Sequence, residues 1–117
     1  MLNRSDNPDI LACPFCKSPI DKPREIENGF GDTFTGGKCV CGAVYIFDRS
    51  GHNLGEAYVD GLAYACDGDW DKAWGLIPDE DYEVRELSYD GRRNRFSRTQ
   101  RKLTATFLFV LLKNVVA

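Results

Sequence analysis

The chain has 117 residues, of which 43% are hydrophobic and 28% charged, and its formal net charge is −3. This is the composition of an ordinary globular protein, and the length predicts a single domain over residues 1–117. Because residues 1–9 lack the apolar core of a signal peptide, we expect a cytoplasmic protein, whose reduced thiols exclude a framework of disulfides.

Two close pairs of cysteines stand out in the first 42 residues, Cys13-Pro-Phe-Cys16 and Cys39-Val-Cys41. A tetrahedral metal ion needs four donors, and each short pair supplies two sulfur atoms from one tight turn. Four cysteines also complete the coordination shell, so no open position remains for a substrate. The spacing therefore predicts a structural Zn²⁺ site with the ligands Cys13, Cys16, Cys39 and Cys41, although iron suits the same donors.

The first pair also fits a redox interpretation, because Cys13-Pro-Phe-Cys16 is typical of the dithiol of thioredoxin-like oxidoreductases. In those proteins the first cysteine begins a long helix, whose dipole lowers the pKa of the thiol. Here Pro19 and Pro23 fall within the first turns of such a helix and would disrupt it. The metal site is therefore favoured over redox chemistry.

Residues 13–47 resemble a zinc ribbon, in which two cysteine-bearing knuckles flank a β-hairpin. The resemblance is carried by a knuckle at residues 13–20, a second knuckle at 39–42 and an apolar strand at 43–47. Residues 37–74 are also similar to small zinc-ribbon-like bacterial proteins of uncharacterised function. The resemblance implies a zinc ion and carries no catalytic residues, and the short second pair departs from the usual Cys-x-x-Cys.

The loop between the two cysteine pairs predicts a β-hairpin. Residues 24–27 and 32–35 have strand-like sequences, and Asn28-Gly29 between them is a turn signal. We expect Phe30 and Phe34 to cover the cysteine cluster.

The clearest helix is predicted over residues 54–66, where apolar residues recur at the spacing of one helical face. Asn53 followed by Glu56 is typical of a capping box, and Gly68 lies where such a helix ends. Cys66 falls on the apolar face, so we expect a buried and unreactive thiol.

His52 is the only histidine, and it precedes Glu56 and Asp60 at four-residue steps. If the helix began one turn early, the three side chains would share a face and could form a second cation site or the acid/base cluster of an enzyme. The simpler interpretation places His52 in the turn before the helix and both acids in solvent. No Ser-His-Asp pattern, phosphate loop or His-Glu-x-x-His motif supports an enzyme.

A short second helix is predicted over residues 69–76, with Asp69 as its N-cap. Trp70 and Trp74 lie one helical turn apart, which favours packing in the core. The alternative is that they form the rim of a groove for a partner, because tryptophan is enriched at binding hot spots.

The last third of the chain predicts strands. Residues 82–89 read as one strand, Asp90-Gly91 as a turn and residues 92–97 as a returning strand. Residues 103–112 are almost entirely apolar and far shorter than the ~20 residues of a membrane helix. Their Thr, Phe and Val favour a strand, while a buried helix stays open, and either must be covered by the core or by a second copy.

Basic residues cluster over residues 92–102, where six of eleven positions are basic: Arg92, Arg93, Arg95, Arg98, Arg101 and Lys102. Such a run indicates a solvated face or a match for the acidic part of the same protein, and nucleic acid or an acidic partner is the alternative. Residues 1–80 hold 7 Lys and Arg against 14 Asp and Glu, and acidic surfaces are repelled by phosphates.

Together these patterns predict an α+β fold, with a zinc ribbon over residues 13–47 and an α+β remainder over 53–117. The ribbon is expected to pack with one amphipathic helix, a short second helix and C-terminal strands. We expect a zinc-binding protein that acts as an interaction module, with a protein partner or a second copy and no membrane. Nucleic-acid binding through residues 92–102 is the first alternative, and an enzyme with His52, Glu56 and Asp60 is the second.

Overall fold

The computed structural model describes residues 11–27, 33–51, 53–90, 95–96 and 105–113, which form eight strands and two helices. In chain order these elements are β1 (Leu11–Ala12), β2 (Pro19–Ile20), β3 (Arg24–Glu27), β4 (Thr33–Lys38), β5 (Val44–Asp48), α1 (Leu54–Ala65), α2 (Trp70–Trp74), β6 (Tyr82–Asp90), β7 (Arg95–Phe96) and β8 (Thr106–Leu112). Neither helix of this described part is long and apolar enough to cross a membrane.

Six strands form one antiparallel sheet in the order β3-β4-β5-β8-β6-β7, and β1 and β2 form a separate hairpin. β8 lies between β5 and β6, and Val110 of β8 is paired with Val44 on one side and with Val84 on the other. β8, the last of the described strands in chain order, therefore joins the N-terminal strands to β6. The combination of two helices with antiparallel strands in the described residues agrees with the predicted α+β class.

The position of β8 explains its apolar sequence. Leu108 and Val110 face α1, while Phe107 and Phe109 alternate with them on the opposite face of the sheet, and each is at most 2% exposed. A strand covered on both faces needs apolar residues at every position, so periodicity alone does not separate it from a buried helix. The strand preference is confirmed, with the strand beginning at Thr106.

The two predicted hairpins form in the described residues. β3 pairs with β4 as expected, although β4 continues to Lys38, beyond the predicted end. β6 pairs with β7 through Tyr89 and Asp90, and the turn residues between them lie outside the described part of the chain.

α1 packs closely on β5 and β8 because Gly61 faces the sheet. A Cβ atom at this position would lie 3.2 Å from Val110 Cγ2 and 3.4 Å from Ile46 Cγ1. Leu62 and Ala57 of the same helix are buried against the sheet. The amphipathic helix predicted over residues 54–66 is confirmed to within one residue.

The start of α1 differs from the prediction. Asn53 occupies the N-cap position, but its side chain makes no capping hydrogen bond, so the capping-box prediction is wrong. The carboxylate of Asp48 fills this role: its Oδ2 accepts from the Asn53 amide at 2.7 Å, and its Oδ1 accepts from the amide and hydroxyl of Ser50 at 3.1 and 3.0 Å. A buried carboxylate at the end of β5 thus holds the turn into the helix.

The predicted ends of the helices agree better with the structure. The amide of Gly68 donates to the Ala63 carbonyl at 2.8 Å, with Asp67 in the left-handed region at a φ of 57°, which closes α1 in the predicted place. Asp69 caps α2 by accepting from the Lys72 amide at 3.1 Å. α2 is shorter than predicted, because it ends at Gly75.

Replacing Asp48 should destabilise the fold. In Asp48→Asn the negative charge is lost and one acceptor oxygen becomes an NH2 group, so both Ser50 and the Asn53 amide lose a charged partner, and one of them also loses its acceptor in a buried position. We expect the free energy of unfolding to fall by about 1–3 kcal/mol, measured by urea denaturation with circular dichroism.

Asp71→Asn is the matched control, because Asp71 is exposed on α2. A surface change of this kind is expected to shift stability by about 0.5 kcal/mol or less. Equal effects of the two substitutions would show that the Asp48 hydrogen bonds do not stabilise the turn.

Candidate metal centre

Four cysteine side chains converge on one point beside the sheet. The sulfur atoms of Cys13, Cys16, Cys39 and Cys41 all lie within 4.8 Å of one another. Cys13 Sγ is 3.9 Å from Cys41 Sγ, and Cys16 Sγ is 3.4 Å from Cys39 Sγ. These distances exceed the ~2.05 Å of a disulfide bond, so all four are free thiols. The structure therefore brings together the four cysteines that the sequence singles out.

The first cysteine pair lies in the turn between β1 and β2. The Cys13 amide donates to the Ser18 carbonyl at 2.9 Å, which closes the turn. Two amides point at sulfur atoms, since Phe15 N donates to Cys13 Sγ at 3.4 Å and Ser18 N donates to Cys16 Sγ at 3.5 Å. Such amide donors stabilise thiolates and fix their direction, as the supporting groups of a metal site do.

The second cysteine pair lies in the turn between β4 and β5. The Cys39 amide donates to the Ala43 carbonyl at 2.7 Å, and the Gly42 amide donates to the Cys39 carbonyl at 3.0 Å. Gly42 has a φ of 101°, which a residue with a side chain rarely adopts. A pair shortened to Cys-x-Cys thus still forms a tight turn, and two central strands hold it in place.

The spacing of the sulfur atoms fits a tetrahedral metal ion. A zinc ion with bonds of about 2.3 Å to four thiolates would place neighbouring sulfur atoms about 3.8 Å apart. The two contacts between the pairs, 3.4 and 3.9 Å, lie on either side of this value. The cluster is close enough to bind a metal ion, and four thiolates are compatible with zinc.

The thiols are in unequal environments. Burial raises the pKa of Cys13, Cys39 and Cys41, whereas the amide and hydroxyl of Ser18 lower the pKa of Cys16 to about 6. Four thiolate charges in one partly buried cluster are unfavourable without a cation, because burial and like charges both favour the neutral form. A dication would offset this, so the donor set fits a metal ion electrostatically.

The cluster lies on the face of the sheet opposite α1. Cys13 packs with Tyr45, Phe107 and Phe109, which alternate along their strands with the residues that face the helix. The Tyr45 hydroxyl donates to the carbonyl of Asp21, just after β2, at 2.8 Å. The β1-β2 hairpin is therefore attached to the sheet by apolar packing and by one buried hydrogen bond.

A cation–π contact makes a second attachment of this hairpin. The guanidinium of Arg85 on β6 lies 5.1 Å from the centre of the Phe15 ring in the cysteine turn, and it also pairs with Glu83 at 2.9 Å. Phe15 therefore reaches across the sheet towards β6.

The expectation that Phe34 covers the cysteine cluster is wrong. Phe34 lies on the α1 face, where its ring meets Tyr64 edge to face with centroids 5.4 Å apart, and it packs with Ile46 and Leu108. The register of β4 with β5 decides this, because a shift by one residue would turn Phe34 towards the cysteines. Phe30 lies outside the described residues.

The turn after Cys16 does not fit the redox interpretation of the first cysteine pair. Thioredoxin-like dithiols need a helix after the first cysteine, whereas here the chain turns after Cys16 and enters β2. Lys17 in this turn has a φ of 69°, outside the helical region. Cys66, the fifth cysteine, is 5% exposed at the end of α1, and burial raises the pKa of its thiol, as expected of an unreactive core residue.

The proposed enzyme residues are not assembled in the described part of the chain. Glu56 is exposed on α1, whereas Asp60 is 8% exposed and lines a small cavity of about 400 Å³ with Tyr64 and Trp70. His52 lies outside the described residues, so the three-residue site stays a prediction.

Most of the basic residues that the nucleic-acid hypothesis requires also lie outside the described residues. Only the backbone of Arg95, in β7, is described, and the other five lie in ranges that are not: Arg92, Arg93, Arg98, Arg101 and Lys102. Nucleic-acid binding by this segment therefore stays a prediction.

A cleft beside the β1-β2 hairpin was not predicted. It has a volume of about 860 Å³ and lies between residues 21–23 and the aromatic rings of Phe47, Tyr89 and Phe107. Charged residues of both signs, including Lys22, also line it, and none of the four clustered cysteines does. Because these residues come from distant segments, no local sequence pattern indicates the cleft.

α2 exposes one of the two tryptophans expected in the core. Trp74 is 68% exposed and Ile77, in the following turn, is 50% exposed, whereas Ala73, directly before Trp74, is buried. Trp70 is only partly buried. The prediction that Trp74 packs in the core is therefore wrong. An exposed tryptophan is what the alternative, a surface that binds a partner, requires.

Comparison of the chain with protein-family models, with curated proteins and with solved structures found no match. The likeness of residues 13–47 to a zinc ribbon therefore depends on the cysteine spacing and on the geometry described above.

Substitution of a clustered cysteine should remove the metal. We expect one zinc ion per purified chain, measured by elemental analysis, and loss of most of it in Cys39→Ser, because three thiolates and a hydroxyl no longer match a four-thiolate site. Co²⁺ added to the metal-free protein should give thiolate charge-transfer absorption in the wild type and weaker absorption in Cys39→Ser.

Cys66→Ser is the matched control, since it makes the same change in another buried cysteine, one that packs with Val44 and Val110 and not with the cluster. It should lower stability and leave the zinc content unchanged. Equal zinc loss in both variants would show that the loss reflects unfolding and not the removal of a ligand.

Proposed function

We propose that this chain is a zinc-binding protein with a structural four-cysteine site, organised as a zinc ribbon over residues 13–47, and that it acts as an interaction module. The observation that carries the proposal is the set of four sulfur atoms within 4.8 Å of one another. Four thiolates leave a bound zinc ion no position for water or substrate, so the metal serves structure and not catalysis.

The hairpin that holds two of the ligands explains the need for a metal. β1 and β2 form only two residue pairs, Leu11 with Ile20 and Ala12 with Pro19, and so short a hairpin is unstable alone. Zinc bound by four thiolates contributes of order 10 kcal/mol, comparable to the whole stability of a small domain. The ion would fasten this hairpin to the turn between β4 and β5.

The exposed side chain of Trp74 supports an interaction function. Tryptophan is among the residues most enriched at binding hot spots, and this one is 68% exposed on a helix anchored by the buried Ala73. Val40, between two of the cysteines, is 88% exposed and offers a second apolar contact. The described residues hold no comparable support for the nucleic-acid or the enzyme alternative.

Removal of the metal should release the cysteine-bearing turns before the helix. When a strong chelator removes the metal ion, the short β1-β2 hairpin loses its main support, whereas α1 keeps its packing on β5 and β8. We expect Tm to fall by about 10 °C or more, and hydrogen exchange to accelerate first at residues 11–20 and 39–43. Unchanged circular dichroism and Tm after complete zinc removal would contradict a structural role.

A photo-crosslinker should locate the partner surface. Benzoylphenylalanine in place of Trp74 should give discrete protein adducts in cells that make the chain, because a partner would cover this exposed position. The same crosslinker in place of Glu56, exposed on α1, is the control and should give few adducts. Equal adducts at the two positions would contradict binding through Trp74.

A further inference from the structure

One short segment presents apolar side chains to solvent among acidic ones. Trp74 and Ile77 are its exposed apolar residues. Residues 69–81 also hold five acidic side chains against the single base Lys72: Asp69, Asp71, Asp79, Glu80 and Asp81. Trp74, Ile77 and these five acids are called the tryptophan patch below.

The acids of the tryptophan patch are not neutralised by ion pairs within the described residues. The two ion pairs found there are elsewhere, between Lys38 and Asp67 and between Arg85 and Glu83. The ammonium of Lys113 donates to the backbone carbonyl of Asp79 at 2.7 Å, so five acids face two bases. The faces of tryptophan rings attract guanidinium groups, and nearby carboxylates strengthen that attraction. The chemistry of the patch therefore suits an arginine-rich segment.

The chain carries such a segment at residues 92–102, six of which are basic. After Asp90 the chain pairs back onto β6 at Arg95 and Phe96, in β7, and the carbonyl of Ala105, just before β8, accepts from the Tyr89 amide at 2.8 Å. The connection that holds the basic residues thus starts and ends at the far end of β6.

The tryptophan patch lies at the near end of the same strand. Asp81 directly precedes Tyr82, where β6 begins, and its Oδ2 accepts from the Ile77 amide at 2.8 Å. Nine residues of antiparallel strand cover about 27 Å, in a molecule 46 Å long. Within one copy the tryptophan patch and the basic segment are therefore anchored at opposite ends of β6. In two copies lying antiparallel, each tryptophan patch would face the basic segment of the other copy.

We propose that the tryptophan patch binds the basic segment, residues 92–102, of a second copy of this chain in a two-fold symmetric dimer. Each copy contributes one patch and one segment, so the two contacts are equivalent, as two-fold symmetry requires. Arginine side chains of the segment stack on Trp74 while the acids pair with neighbouring guanidinium groups. This inference rests on the proposed interaction function and names its partner.

The first test is the mass of the zinc-loaded full chain. Light scattering should give twice the chain mass of 13.2 kDa at low salt. Because charged contacts are screened, raising NaCl from about 0.05 to about 0.5 M should weaken dimerisation about tenfold or more. Trp74→Ala should weaken it by a similar factor, with circular dichroism and zinc content unchanged. A monomer at all concentrations would overturn the dimer.

The second test mixes two variants with complementary defects. Trp74→Ala lacks the patch, and Arg98→Glu with Arg101→Glu lacks much of the segment, so each alone should be largely monomeric. Their mixture should form mixed dimers through one intact contact. Failure of the mixture to associate beyond either variant alone would overturn the pairing of patch with segment.

Lys22→Glu with Arg49→Glu is the matched control, because it makes the same charge change at two exposed cations elsewhere. It should leave the dimer intact, and equal weakening would point to net charge instead of the segment. A monomer that binds zinc and crosslinks to another protein at position 74 would overturn this inference and leave the proposed function standing. Absence of zinc would overturn the proposed function whatever the mass.

Discussion

The structure depends on β8, the strand covered on both faces. Its side chains alternate between the two faces of the sheet and pack in two separate layers. Leu108 and Val110 pack against α1, while Phe107 and Phe109 pack against the β1-β2 hairpin. The strand also supplies hydrogen bonds to β5 and β6 at once. Without it, the N-terminal strands and β6 would have no common sheet, and the hairpin and the helix would each lose part of the surface on which it packs, with only β5 remaining beneath them.

The four thiols add a second kind of constraint on one of these layers. Apolar packing, the Tyr45 hydroxyl and the Arg85–Phe15 contact attach the β1-β2 hairpin to the sheet, and the hairpin itself has only two residue pairs. Four metal bonds are directional and strong, so a shared ion would hold the hairpin in one position. The α1 layer needs no such device, because a twelve-residue helix buries a continuous apolar face with close contact at Gly61.

Features set by local chemistry could be predicted from the sequence, and features set by register could not. The cysteine spacing, the periodicity of α1 and the pairing of β6 with β7 each arise within a few residues, and the structure agrees with them. The side of the sheet that Phe34 faces depends on the register of β4 with β3 and β5, and the exposure of Trp74 depends on how α2 packs against α1. The Asp48 carboxylate replaced the expected capping box for the same reason, because its position follows from the end of β5.

The central place of β8 also orders events during synthesis. Cys41 leaves the ribosome long before Thr106, so the thiols can meet a metal ion while the sheet still lacks its middle strand. Pairing of β5 with β8 joins residues about sixty positions apart, and such distant contacts form slowly. β8 is thus made when both of its neighbours are already present, which shortens the time during which this apolar strand itself is exposed, whereas β5 and β6 each keep an unpaired edge until it arrives.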